Sequence, residues 1–242
     1  MTHIKALLYY IIELIMALFV LLLMALLIFK YTIYNNEYIK DVFEKHNYSE
    51  NISKDIKNDM KNNIIPTQLP ESVLDNIYTE DELKETINSL IDKVYTNEKI
   101  EIDTTKLSDN LRNNIDKYIK DNNINVDNNE SVNKIVVQMT DIYKSKITQS
   151  NIFNKVQKII SKTSKYIDLA IIISIVSLLL LFIISLFLKR EYNISLNLLI
   201  ASFMDIIITI FIKSNININK IKIWDDTVSD ILHDIINNIF KI

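Results

Sequence analysis

Three long apolar runs, residues 6–29, 167–188 and 194–212, constrain this chain more than any other feature. About 20 apolar residues at a 1.5 Å rise cover a hydrocarbon layer of roughly 30 Å, so each run can cross a bilayer as a helix. The runs bracket a polar stretch, residues 31–166, in which acidic and basic side chains nearly balance. The pattern predicts an all-α integral membrane protein in four parts. An N-terminal anchor occupies residues 1–30, a helical extracytoplasmic domain 31–166, a transmembrane hairpin 167–213, and an amphipathic helix 214–242. A mean hydropathy of +0.13 suits a chain divided between lipid and water.

Two absences exclude whole classes of chemistry. With no cysteine, disulfide frameworks, thiolate metal sites and cysteine nucleophiles are ruled out. With no glycine, so are the P-loop, the dinucleotide fingerprint, the nucleophile elbow and a GxxxG helix-dimer face. Turns that need φ > 0 must then use asparagine, plentiful here in pairs such as Asn122-Asn123 and Asn128-Asn129. A net charge of -3 with interleaved signs leaves no footprint for nucleic acid.

Orientation follows from the cations flanking the runs. Lys5 precedes the first, and Lys189-Arg190 fill the tight connection 189–193 between the second and third. Positive residues in short loops favour the cytoplasm, which places the N-terminus inside and both 31–166 and the C-terminus outside. The first run exceeds the 7–15 residues of a signal-peptide core, and its outer end lacks the small residues of a cleavage site. An uncleaved anchor is therefore expected.

The polar domain reads as helices. Ile39, Val42 and Phe43, then Ile52, Ile56 and Met60, recur at helical spacing until Pro66 and Pro70 break the chain. Thr79-Glu80-Asp81-Glu82 is a capping box that starts a stripe of Leu83, Ile87, Leu90, Ile91 and Val94. Further stripes run through Leu107, Leu111, Ile115, Tyr118 and Ile119, and through Val132, Ile135, Val136, Met139, Ile142 and Tyr143. Residues 152–167 continue without Gly or Pro into the second apolar run, which predicts one rod. Trp224, Val228, Ile231, Leu232, Ile235, Ile236, Ile239 and Phe240 make the cleanest amphipathic stripe, an expected interaction face. Its expected cover is the outer domain, a lipid surface or a partner protein.

The layout resembles uncharacterised integral membrane proteins of low-GC Gram-positive bacteria that carry an N-terminal anchor, a helical extracytoplasmic domain and a C-terminal hydrophobic helix group. The resemblance is carried by Tyr38-Ile39-Lys40-Asp41-Val42-Phe43-Glu44-Lys45, Leu69-Pro70-Glu71-Ser72-Val73-Leu74, and stretches 79–95 and 224–238. It implies a bacterial cell-membrane location and a fourth membrane helix, and it brings no activity.

Asp205 lies about 11 residues into the third run, near mid-bilayer, where a carboxylate costs several kcal/mol. Ser174, Ser177 or Asn197 are candidate hydrogen-bond partners for it. Glu13 is the acid of the first run, and the two could share a proton across a bundle. Asp168 reads as an interfacial residue. The 121–127 stretch starts like a calcium loop, but Val126 stands where glycine is needed and Val132 where the bidentate glutamate belongs. Asp226, Asp230, His233 and Asn237 share a stripe that a polar helix face already explains. No catalytic, cofactor or metal site is expected. The expected function is that of a non-enzymatic structural or interaction subunit, with the lipid bilayer and a membrane or cell-surface protein as partners. The alternatives are a sensor relaying outer-domain movement and a small transporter component using Asp205 and Glu13.

Overall fold

Apolar stripes at helical spacing dictate the architecture, and the backbone follows them. The structure, a computed structural model, describes residues 2–124, 129–148, 152–187, 200–204, 206 and 226–239. Among these residues no strand occurs. The helices are α1 (Thr2–Tyr31), α2 (Asn36–Lys45), α3 (Tyr48–Ile64), α4 (Glu80–Thr96), α5 (Thr105–Asp121), α6 (Asn129–Thr148), α7 (Ile152–Phe187) and α8 (Asp226–Ile239). Two 3-10 turns, Ile65–Thr67 and Glu71–Leu74, fill the proline-bearing break after α3. The isoleucines of 100–102 lie in irregular backbone before α5.

The chain divides into two compact units: Met1–Ile39 with Ser161–Ile242, and Lys40–Ile160. In the second unit, α3 packs against α6 and α4, and α5 packs against α6. Its core is made by the residues that the periodicity singles out. Ile52, Ile56, Met60 and Ile64 of α3 are buried, as are Leu83, Ile87, Leu90, Ile91 and Val94 of α4. Leu107, Leu111 and Ile115 of α5, with Val132, Val136, Met139, Tyr143 and Ile147 of α6, complete it. Tyr118, Ile119, Ile135 and Ile142 fall at the edges of their stripes and are half-buried.

Local chemistry sets the helix ends. The Thr79 hydroxyl accepts from the Glu82 amide at 3.2 Å, while a Glu82 carboxylate oxygen accepts from the Thr79 amide at 3.0 Å. This is the capping box, satisfying two amides that α4 would otherwise leave open. Thr79→Ala is expected to cost about 1 kcal/mol. It should raise amide exchange in the first turn of α4 by roughly fivefold relative to the last turn of α5, read by mass spectrometry. Asparagine takes the left-handed turns, as the lack of glycine requires: Asn47, Asn76, Asn97 and Asn123 have φ between 48° and 59°. Asn97 ends α4 with its amide donating to the Lys93 carbonyl. Gln68 also has positive φ, 63°, directly after the first 3-10 turn, where sequence composition gave no cue.

Side-chain amides bind the irregular segments to the helices. Asn114 of α5 donates to the carbonyls of Val73 (3.0 Å) and Asp75 (2.8 Å), and Asn110, one turn earlier, donates to that of Ile77 (3.2 Å). At the start of α7, Gln157 donates to the carbonyls of Lys93 (2.9 Å) and Glu98 (2.6 Å), satisfying backbone acceptors around the end of α4.

In the first unit, α1 and α7 are both long and apolar enough to cross a membrane, with hydropathies of 3.1 each over Leu7–Tyr31 and Phe153–Phe187. The expected rod is present, because α7 runs for 36 residues without a break. Three crossing helices were expected and two of sufficient length are described. The third run falls largely outside the described residues, of which 200–204 and 206 are helical. The connection 189–193 lies outside them as well. Helix α8 belongs to this same unit.

Candidate functional site

Glu13 is the first position of interest, because an acid inside an apolar helix must be accounted for. It is 2% exposed and shares one stripe of α1 with buried Tyr9, Met16 and Ala17. On α7 the buried positions of the apolar run are Ile171, Ser174 and Ser185. The two helices are tied at one end. Lys30 pairs with Asp168 at 2.7 Å, and the hydroxyls of Tyr34 and Thr163 lie 2.6 Å apart. Increasing residue number on one side meets decreasing number on the other, so the pairing is antiparallel. Glu13 is 17 residues from Lys30, and Ser185 is 17 residues from Asp168. At helical rise both therefore lie about 25 Å from the tie, at one level.

The serines use their protons locally. Ser174 donates to the Ala170 carbonyl and Ser185 to the Phe182 carbonyl, each at 2.8 Å. The expectation that these serines donate between helices is corrected here. A hydroxyl can donate once, and back-bonding to the preceding turn uses that proton. A carboxyl approaching Ser174 would have to supply the hydrogen itself. Asp205 and Asn197 lie outside the described residues, as does Trp224. Of the expected interaction face, Val228, Leu232 and Ile239 lie on α8, while Ile231 and Ile235 are 2% and 7% exposed and so are already covered within the chain. Asp168, read as a merely interfacial acid, is instead half of the Lys30 pair. The signal was available: both residues stand at the same end of their apolar runs.

The helical unit Lys40–Ile160 holds a second candidate, a cleft of about 460 Å³ between α4, α5 and α6. Its floor includes Leu90 and Leu107, and its rim carries Glu82, Glu101, Asp103, Lys93 and Lys106. The acids are committed to local partners. Glu82 is held below the usual carboxylate range by Lys106 and by the Thr79 amide. Lys99 does the same for Glu101, and the hydroxyl and amide of Thr105 do so for Asp103. These three are anions near neutral pH and are unsuited to donating a proton. Among the described residues no group of three or more His, Asp and Glu is gathered for a metal.

Tyr78 and Tyr143 form the buried polar contact beneath this cleft, with ring centroids 5.2 Å apart. The Tyr78 hydroxyl donates to the Ser53 carbonyl at 3.2 Å, and Tyr143 bonds Thr86. Burial pushes the Tyr78 phenol up to about 12. A free tyrosine titrates near 10, so between about pH 10 and 12 the unfolded chain binds fewer protons than the folded one. Stability is complete below pH 10 and falls as pH rises through this window, by about 2–3 kcal/mol at its upper end. Tyr78→Phe should cost about 1 kcal/mol at pH 8 through the lost hydrogen bond, yet flatten the alkaline decline. Urea titrations of both proteins at pH 8 and 11.5 would show the crossing, and an unchanged slope would remove Tyr78 as its cause.

No family model matches this chain, and neither a curated protein nor a solved structure does so.

Proposed function

We propose that this chain is an integral membrane protein whose helical unit stands outside the bacterial cell membrane as a structural or interaction subunit without enzymatic activity. The observation that carries the membrane part is the outer surface of α7. Ile172, Ile173, Ile175, Val176, Leu179, Leu180, Ile183 and Ile184 are each between 44% and 58% exposed. The core helix of a water-soluble protein would bury these side chains, and so large a contiguous apolar surface calls for lipid or protein cover. The ties between α1 and α7 support a retained anchor in place of a cleaved leader. Orientation rests on Lys189-Arg190. Short connections decide topology by their cations, whereas a segment as long as 31–166 is translocated largely regardless of its lysines.

The subunit reading draws on what the cleft lacks: its acids are neutralised in place, and its tyrosines are engaged in packing. Extraction in mild detergent followed by mass photometry should give a particle heavier than the single chain, containing a stoichiometric companion. Persistent monomers would count against it. Protease added to intact protoplasts should cut the 31–166 segment, and protection until lysis would invert the topology.

Burial of Glu13 in an apolar helix favours a second role, as a proton-exchanging residue within the bundle, with Asp205 as its expected counterpart. Glu13→Gln and Asp205→Asn proteoliposomes with undiminished proton flux would eliminate it.

A further inference from the structure

Four lysines of α7, Lys155, Lys158, Lys162 and Lys165, are all exposed. At 100° per residue they fall within about 80° of the helix circumference. The only acid on α7 is Asp168, which is engaged by Lys30, so the stripe has no counter-charge along its own helix. It lies on roughly the opposite side of α7 from Ile171, Ser174 and Ser185, the buried positions of the apolar run. Val156 and Ile159, exposed to 39% and 59%, flank it, and Tyr166 at its lower end is 71% exposed. Below Tyr166 the uninterrupted apolar run begins at Ile167.

Height along the helix indicates what the stripe meets. Lys165 and Lys162 stand about 3 and 7 Å above the start of the apolar run, and the headgroup layer is about 5–8 Å thick. Lys158 and Lys155 stand about 14 and 18 Å above it, where a long side chain and a Debye length of about 8–10 Å still bring them within the field of a charged surface. Tyr166 has the ring and hydroxyl that settle at the headgroup level. A stripe of ammonium groups without acids, ending at this level, has the chemistry to take phosphate-bearing headgroups.

We propose that the Lys155–Lys165 face of α7 docks anionic lipid headgroups. Lys162 and Lys165 make direct contact with lipid phosphates, and Lys158 and Lys155 act through the surface field. The exposed Val156 and Ile159 tilt the same face toward the bilayer. The inference rests on the reading that α7 crosses a bilayer.

The test uses the full chain in nanodiscs of phosphatidylcholine, with or without about one-third phosphatidylglycerol, and follows lysine acetylation rates by mass spectrometry. Lys162 and Lys165 should acetylate roughly fivefold more slowly in the anionic discs, Lys155 and Lys158 less so, with the difference lost at high salt. Lys117, exposed on α5, should not change. In native mass spectra the fourfold variant K155Q/K158Q/K162Q/K165Q should retain fewer phosphatidylglycerol molecules than the parent. Equal rates in the two discs would overturn the proposal. Equal slowing in both would also overturn it, pointing to cover by protein. A chain that does not enter discs at all fails the membrane reading itself, whereas disc-bound chain with lipid-independent rates fails only this proposal.

Discussion

Replacing Ile175 and Leu179 of α7 together by lysine is expected to expel this helix from the membrane. Both side chains are exposed, to 44% and 58%, and both sit near the middle of the apolar run. Each lysine at the centre of a crossing helix costs about 2.5–3.5 kcal/mol on insertion scales, so the pair costs about 5–7 kcal/mol. That is large enough to offset much of the favourable transfer of a helix this apolar. The carbonate-resistant membrane fraction should fall at least tenfold. The opposite outcome is equally sharp. On a water-exposed helix, substitutions at exposed positions stay within about 0.5 kcal/mol, and added charge raises solubility. A variant with improved solubility and unchanged thermal unfolding would therefore end the membrane reading.

The second large effect lies in the core of the other unit. Ile56 of α3 is fully buried, on the face that packs against α4 and α6. Ile56→Ala removes three carbons from a close-packed interior and should destabilise this unit by about 2–5 kcal/mol. Ile65, nine residues later and 60% exposed, is the control, and its alanine variant should change stability by less than about 0.5 kcal/mol. Urea unfolding in detergent, followed by far-UV circular dichroism, separates the two. Equal effects would mean that α3 is not packed as described.

What the sequence showed and what it hid divide along a physical line. Helices were legible because their apolar positions repeat at a local period and their ends carry local chemistry. Leu83 to Val94 and the Thr79 box illustrate this, since every partner lies within one or two turns. The need for asparagine in left-handed turns was equally local, and Asn47, Asn97 and Asn123 satisfy it. The Lys30–Asp168 pair was hidden because its members are 138 residues apart, and only the pairing of two helices makes them neighbours. The amides of Asn110, Asn114 and Gln157 were hidden for the same reason: nothing in the local pattern tells a solvated amide from one aimed at a distant carbonyl. The expectation for Ser174 and Ser185 erred differently. It assigned them to neighbouring helices when the carbonyl one turn back was the nearer acceptor. The cleft above Tyr143 had no sequence signature, since its acids come from separate elements and are spent on capping and pairing.

The contact between Tyr34 and Thr163 has a consequence for shedding from the cell surface. A domain hung from a single anchor is released by one proteolytic cut at its stem. Here the segment between these residues leaves and rejoins the helical pair at almost one point, held by two helices at its two flanks. A single nick, at the exposed Ile65 turn for example, leaves each fragment joined to its own anchor. Release into the medium then takes two cuts, one on either side. The same closeness makes the stretch a natural cassette, removable from between its flanks by a short bridge that leaves the helical pair intact.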